Sequence, residues 1–254
     1  MRKKSLIKGL KTNYTKTGSG PPIILLHGWG CDLTIFSQLQ QELEKTNEVY
    51  TIDLPGFGMS EVPNNVWGVS DYANFLGEFI KNEDIQNPML FGHSFGGKIS
   101  IQYASQNKIE KLILTGSSGI KPHHKFKRKL KIYLLKKIKK ITTLFLSKKK
   151  SSEIIEKYRK KVGSIDYRNA DGMLRKILVK SVNEDLKEVM PLIKTQTLIL
   201  WGKDDHETPL SAGETMSHLI PNSELTALSN AGHYAFLDQK ENFINHLKSF
   251  IYKK

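Results

Sequence analysis

The sequence predicts an α/β fold in which a mostly parallel central sheet is flanked by helices. Short apolar runs of strand type alternate along the chain with segments whose apolar residues recur at helical spacing. The run at residues 23–26 is apolar throughout, which is typical of a strand covered on both faces. Because strands that alternate with helices are joined by parallel crossovers, these patterns favour a covered, mostly parallel sheet.

Each predicted element follows from its local pattern. Residues 5–17 predict an extended hairpin that turns at Gly9. Apolar residues three and four apart predict helices near residues 33–43, 72–80 and 243–251. Apolar runs bounded by turn residues predict five further strands, at residues 49–52, 88–91, 111–115, 197–201 and 225–228.

The alternation stops between residues 119 and 194, where the pattern is helical only. A chain of 254 residues, 39% of them hydrophobic, suits one α/β domain with an insertion. We therefore predict a core formed by residues 1–118 and 195–254, with a helical cap or lid at residues 119–194.

The positive charge of the chain is concentrated in this insertion. The formal net charge is +14, yet residues 120–161 hold 17 Lys and Arg against 2 Glu, and the remainder holds 22 basic and 23 acidic residues. A nearly neutral remainder argues against a nucleic-acid-binding protein.

The single cysteine, Cys31, excludes an intramolecular disulfide and a cysteine-rich metal site. His123 and His124 lack the acidic or cysteine companions of a metal site, so we expect neither a metal nor a cofactor. The first residues resemble no signal peptide, and no apolar stretch reaches the length of a membrane span. A reducing, cytoplasmic location is the simplest expectation.

A glycine-rich turn at residues 92–97 is the first candidate functional feature. It reads Gly-His-Ser-Phe-Gly-Gly and joins a predicted strand to a predicted helix. A serine between glycines at such a turn is held exposed above the sheet, where its hydroxyl can act as a nucleophile. A serine nucleophile needs a histidine to take its proton and a carboxylate to orient that histidine.

Both partners follow the serine in chain order. Asp204 and Asp205 come after the predicted strand at residues 197–201, and His233 comes after the one at residues 225–228. Each lies at the carboxyl end of its strand, which is the edge where open α/β sheets place their sites.

The chain resembles the α/β-hydrolase superfamily, in the branch of lid-bearing serine hydrolases that includes carboxylesterases, lactonases and meta-cleavage product hydrolases. Nearly the whole chain is covered by the resemblance. Five motifs in family order carry it, at residues 27–30, 53–60, 92–97, 202–209 and 231–233.

The resemblance implies a role for each matching residue. Ser94 would be the nucleophile, His233 the general base and Asp205 the acid, with Asp204 as the alternative acid. The family position of the acid, three residues after a glycine and four before a proline, favours Asp205.

The oxyanion hole implied by the resemblance consists of the backbone N–H groups of Trp29 and Phe95. The candidate residues of the substrate pocket are His93, Tyr234, Met173 and Leu174. His27 is expected to bond loop backbone, and Asp53 to hold the turn that follows it.

The insertion contains a predicted amphipathic helix with one apolar face, at residues 126–145, and many lysines on the remaining faces. The simplest interpretation is a lid with its lysines in water. Two alternatives are contact with an anionic membrane surface and docking of an acidic carrier or anionic substrate. The sequence does not predict an oligomeric state.

These features predict a serine hydrolase that cleaves a small-molecule acyl substrate, most simply a carboxylic ester, through an acyl-enzyme on Ser94. The alternatives are hydrolysis of a C–C bond in a meta-cleavage product and a proline iminopeptidase-like activity, because a fold does not fix a reaction. A hypothesis of a different class is a non-catalytic binding protein that keeps the fold. Ser94 argues against haloalkane dehalogenase and epoxide hydrolase chemistry, which uses an aspartate at this position.

Overall fold

A computed structural model of the protein describes residues 2–121, 137, 150, 154, 164–170 and 172–253. The described residues form an eight-stranded sheet in the order β1-β2-β4-β3-β5-β6-β7-β8. The strands are β1 (Arg2–Ile7), β2 (Leu10–Thr17), β3 (Pro22–Leu26), β4 (Glu48–Ile52), β5 (Met89–His93), β6 (Leu112–Thr115), β7 (Thr197–Gly202) and β8 (Ser223–Leu228). The pairs β1–β2 and β2–β4 are antiparallel, and every later pair is parallel. The predicted fold class is confirmed.

Helices cover the sheet between these strands. The α-helices whose full extent lies within the described residues are α1 (Ser37–Leu43), α2 (Val69–Asn82), α3 (Phe95–Ala104), α4 (Ile165–Asn169), α5 (Gly172–Asn183), α6 (Leu210–Leu219), α7 (Ala235–Asp238) and α8 (Lys240–Tyr252). Short 3-10 helices lie at Leu33–Phe36 and Met190–Leu192. The predicted hairpin turns at Lys8 and Gly9, and both have the positive φ that suits a two-residue hairpin loop (50° and 77°).

The two faces of the sheet pack against separate hydrophobic clusters. Strand β3 shows this most simply, because Ile24 and Leu26 belong to one cluster while Ile23 and Leu25 belong to the other. All four side chains are fully buried, as the apolar run predicts. Helices α2 and α3 pack on the first face, and α1 and α8 pack on the second.

The parallel strands bring their carboxyl ends to one edge. Leu26 of β3 is in register with Gly92 of β5, and His93 is in register with Thr115 of β6. The loops that follow these strands therefore meet at this edge of the sheet, which is where the candidate site lies.

Part of the predicted insertion is described and is helical, namely α4, α5 and the second 3-10 helix. The predicted basic helix at residues 126–145 lies outside the described residues, apart from Lys137. The division into core and insertion stays a prediction.

Candidate active site

Ser94 occupies a sharp turn between β5 and α3. Its φ of 50° and ψ of −111° are unusual for a residue with a side chain, and such strain costs about 1 to 3 kcal/mol. Neighbouring backbone holds this conformation. The Ser94 N–H donates to the carbonyl of Thr115 at 3.1 Å, and the Ser94 carbonyl accepts from the N–H of Ser118 at 3.0 Å.

The glycines around Ser94 allow this turn because the backbone segments touch. A Cβ at Gly92 would lie 2.4 Å from the Cα of Gly97. A Cβ at Gly96 would lie 2.0 Å from the carbonyl oxygen of Leu26. No larger residue fits at either position without a backbone shift, so the motif has a steric cause.

Asp205 and His233 form a buried pair. The Nδ1–H of His233 donates to Oδ2 of Asp205 at 2.9 Å, and the Asp205 side chain is fully buried. The other carboxylate oxygen accepts from the N–H groups of Glu207 and Thr208, both at 2.9 Å. Burial alone would raise the pKa of Asp205, but the hydrogen bond and charge of His233 and the Thr208 donors outweigh it and lower that pKa. Asp204 is exposed, so the structure pairs His233 with Asp205, the acid that the motif favours.

Thr208 completes this pair and was not predicted from the sequence. Its hydroxyl lies 2.8 Å from Oδ2 of Asp205, 3.2 Å from Nδ1 of His233 and 2.9 Å from the carbonyl of Gly116. The only signal in the sequence was a hydroxyl residue three positions after the acid, within the same loop.

Ser94 and His233 lie at the same edge of the sheet. The carbonyl of His233 accepts a hydrogen bond from Nε2–H of His93, the residue before Ser94, at 3.0 Å. The imidazole also lies against Gly116, where an added Cβ would be 3.0 Å from Nδ1. Among the described residues Ser94 Oγ has no hydrogen-bond partner, and Glu207 Oε2 lies 3.6 Å from Nε2 of His233.

The loop after β3 lies against Ser94. A Cβ added at Gly28 would lie 3.1 Å from the Cβ of Ser94. The backbone N–H groups of Trp29 and Phe95 donate to none of the described residues, and their rings are 5.3 Å apart. An oxyanion hole requires free backbone donors beside the nucleophile, and the role of these two N–H groups stays a prediction.

His27 and Asp53 hold this loop in place, as expected. The N–H of Leu54 donates to Nε2 of His27 at 3.0 Å, so Nδ1 carries the proton and donates to the carbonyl of Gly28 at 2.8 Å. Asp53 accepts from the N–H groups of Leu33 at 2.8 Å and of Met59 at 2.9 Å. Both side chains are buried and engaged with backbone, which explains their conformational role.

A family model described as alpha/beta hydrolase fold matches residues 21–139, a stretch that includes the loop after β3 and the Ser94 turn. The chain belongs to the α/β hydrolase superfamily. The predicted family is thereby confirmed.

The similarity of this α/β hydrolase to known proteins covers almost its whole length. The AB hydrolase superfamily protein YisY of Bacillus subtilis is 27% identical over 242 residues, which is 88% of this chain and 89% of that protein. The 2-hydroxy-6-oxo-2,4-heptadienoate hydrolase of Pseudomonas putida is 24% identical over 97% of this chain and 94% of that protein. The structure of an esterase from Exiguobacterium antarcticum superposes with a TM-score of 0.76 at 24% identity, covering 99% of both chains. The names of the first two relatives support hydrolase activity, and the superposition supports the fold.

A cavity of about 490 Å³ in this hydrolase is lined by Ser94. Apolar side chains of Trp29, Phe95 and Leu178 form part of its wall, and polar groups of Asp166 and Thr208 form another part. The volume suits a small or medium organic ligand beside Ser94.

His93, a pocket candidate because it stands beside Ser94, is completely buried and is not among the residues that line this cavity. Because side chains alternate along a strand, His93 points to the same face as Phe91, and both rings pack against Phe236. Burial and the neighbouring His233 lower the pKa of His93 to about 3, so it is a neutral hydrogen-bond donor to the backbone of His233.

The other three pocket candidates also lie outside the lining of this cavity. The hydroxyl of Tyr234 is 3.6 Å from Sγ of Cys31. Met173 and Leu174, on the first turn of α5, pack against the larger hydrophobic cluster, because α5 turns these side chains towards the core. Leu178, one turn further along the same helix, lines the cavity instead.

The part of the chain that the structure describes contains no group of three or more His, Cys, Asp or Glu residues placed to hold a metal ion. Within that same part, no helix is long and apolar enough to span a membrane.

Proposed function

We propose that this α/β hydrolase cleaves carboxylic esters with small to medium acyl groups, through an acyl-enzyme on Ser94. The observation that carries the proposal is the buried hydrogen bond between Asp205 and His233, at the same sheet edge as the strained turn of Ser94. An ionised carboxylate on Nδ1–H fixes the tautomer in which Nε2 is free to accept a proton.

In the proposed reaction, Ser94 Oγ attacks the ester carbonyl while His233 Nε2 takes the hydroxyl proton. The carbonyl oxygen becomes an oxyanion, which the N–H groups of Trp29 and Phe95 stabilise. Donors of this kind contribute about 3 to 4 kcal/mol each in other hydrolases. The tetrahedral intermediate then expels the alcohol, which takes the proton from His233, and leaves an ester on Ser94.

Hydrolysis of the acyl-enzyme by water completes the proposed cycle, with His233 again acting as the base. His233 takes a proton from water, the resulting hydroxide attacks the acyl-enzyme, and the acid leaves as Ser94 regains its proton. Glu207 lies on the Nε2 side of the imidazole with its side chain 67% exposed. Its carboxylate is free to turn into solvent when Ser94 bonds to Nε2.

Release of p-nitrophenol from acetate, butyrate and hexanoate esters tests the proposal. We expect turnover by the purified protein and a loss of about 10³-fold or more in Ser94→Ala. Undiminished turnover in Ser94→Ala would exclude this mechanism. Absence of turnover on every ester would exclude the proposed activity.

Hydrolysis of a C–C bond is a second candidate, supported by the similarity to the 2-hydroxy-6-oxo-2,4-heptadienoate hydrolase of P. putida. The same serine, histidine and aspartate would serve that reaction. Incubation with 2-hydroxy-6-oxo-2,4-heptadienoate, with its loss followed by absorbance, distinguishes the two candidates. Faster loss of that substrate than of p-nitrophenyl esters would favour C–C cleavage.

A further inference from the structure

Lys98 is a buried cation in the wall of the Ser94 cavity. It lies on α3, four residues after Ser94, and is only 3% exposed. Its ammonium donates to the carbonyls of Ser181 and Glu184, both at 2.6 Å. These carbonyls belong to the C-terminal end of α5, so Lys98 connects the helix that follows the nucleophile to α5.

No carboxylate of the described residues forms a salt bridge with Lys98, although Glu184 and Asp185 are close enough for their charges to favour its charged form. The carboxylate of Glu184 instead accepts from the N–H of Val69 at 3.0 Å, and Asp185 pairs with Lys187 at 3.6 Å. Buried charges in proteins are normally paired. Burial lowers the pKa of Lys98 to about 8, so most of the population carries the charge at neutral pH.

Lys111 is a buried lysine of the same protein whose ammonium donates three hydrogen bonds. It is 7% exposed and caps the end of α8 through the carbonyls of Phe250, Ile251 and Lys253 at 2.8, 2.9 and 2.8 Å. An ammonium has three donors, and Lys111 uses all of them. Lys98 uses two, so one donor remains beside the cavity.

Ser181 places a second unused polar group in the same wall. It is 4% exposed and lines the cavity, and its hydroxyl bonds to none of the described residues. Lys121 also lines the cavity and adds a further positive charge. A spare ammonium donor, a free hydroxyl and an unpaired positive charge together suit an anionic ligand.

We infer that Lys98 and Ser181 form an anion subsite, and that the preferred substrate is an ester whose acyl chain ends in a carboxylate. This inference rests on the proposed ester hydrolysis at Ser94. Ser94 and Lys98 line the same cavity of about 490 Å³, which has room for a short dicarboxylic acyl chain. The substrate carboxylate would supply the counter-charge that Lys98 lacks.

Kinetics on two p-nitrophenyl esters test this specificity. One is mono-p-nitrophenyl adipate, and the other is its adipamate analogue, in which a neutral primary amide replaces the carboxylate. We expect kcat/KM to favour the adipate ester about tenfold or more, and Lys98→Met to remove this preference while the adipamate ester is still hydrolysed.

Lys111→Met is the matched control, since Lys111 is a buried helix-capping lysine that lies outside the cavity. We expect it to preserve the preference for the adipate ester. A purely structural Lys98 would give equal losses for both esters in Lys98→Met, and that result would overturn the inference.

A binding measurement separates this inference from the proposed activity. Calorimetric titration of Ser94→Ala with monomethyl adipate and with methyl adipamate needs no turnover. We expect tighter binding of monomethyl adipate, and loss of that difference in Ser94→Ala/Lys98→Met or, if that variant does not fold, in Ser94→Ala/Ser181→Ala. Equal binding of both ligands would overturn the subsite even if esters are hydrolysed. A binding difference without ester turnover would overturn the proposed activity alone.

Discussion

Asp205 holds His233 through a 2.9 Å hydrogen bond between Oδ2 and Nδ1–H, with the carboxylate fully removed from solvent. The two residues come from loops after neighbouring strands, β7 and β8, so the sheet itself sets their separation. A buried carboxylate in this position keeps the imidazole in one tautomer and stabilises the imidazolium that forms when it accepts a proton.

Replacing Asp205 by asparagine should lower kcat by about 10³- to 10⁴-fold, because an amide no longer enforces the productive tautomer. Steady-state kinetics on p-nitrophenyl butyrate measure this loss. Asp204→Asn is the matched control, since Asp204 is exposed and its backbone N–H bonds to the carbonyl of Ala231. Similar losses in both variants would contradict the assignment of Asp205.

Thr208→Val should reduce kcat/KM by about 10- to 100-fold, because it removes a hydroxyl hydrogen bond beside an ionised carboxylate. Thr208→Ser keeps the hydroxyl 2.8 Å from Asp205 and should remain close to wild type. Equal activity of the valine and serine variants would show that the hydroxyl has no part in orienting the pair.

Gly96→Ala should lower the free energy of unfolding by at least about 3 kcal/mol, because the new methyl group would meet the backbone of Leu26. Gly9→Ala is the control, since Gly9 has a φ of +77° but open space around it. That substitution should cost only about 1 to 2 kcal/mol. Urea unfolding compares the two variants, provided that the unfolding free energy of each depends equally steeply on urea concentration. Equal unfolding midpoints would contradict the close packing at Gly96.

The free energy of unfolding should change with pH because the pKa of Lys98 is lowered in the folded protein. Burial lowers its pKa from 10.5 to about 8, with the charge of Lys121 acting in the same direction and those of Glu184 and Asp185 opposing it. The unfolded chain therefore binds more protons than the folded protein between these pH values, so stability contributed by this group rises with pH.

Relative to Lys98→Met, the wild type should gain about 2 kcal/mol of unfolding free energy between pH 7.5 and pH 9.5. Taking the difference between the two proteins cancels the titration of the groups that they share. A difference that stays constant over this range would contradict a buried, easily deprotonated Lys98.

Most of the sheet could be predicted because its strands are apolar on both faces. Residues 23–26 alternate between the two hydrophobic clusters, as a doubly covered strand must. The Ser94 turn, Asp205 and His233 follow three of these strands, so the strand predictions also placed the candidate site. Helix α6 was missed because only Gly213 and Met216 of its residues are buried, which leaves a weak apolar pattern.

The remaining features depend on partners that are distant in the sequence. Lys98 looks like an isolated charge in a buried helix until the carbonyl of Ser181, 83 residues away, is placed beside it. The position of His93 next to Ser94 makes it a pocket candidate, but alternation along the strand places its ring with Phe91 against Phe236. Two residues that are adjacent in the sequence can therefore lie at the same edge of a sheet while their side chains point to opposite faces.

Covalent labelling with a fluorophosphonate tests the central claim, that Ser94 is an activated nucleophile, most directly. Peptide mass spectrometry of the labelled wild type should locate one adduct on Ser94, with labelling lost in Ser94→Ala and strongly slowed in Asp205→Asn. Folded wild-type protein that takes up no label, or that carries it on a residue other than Ser94, would contradict the claim.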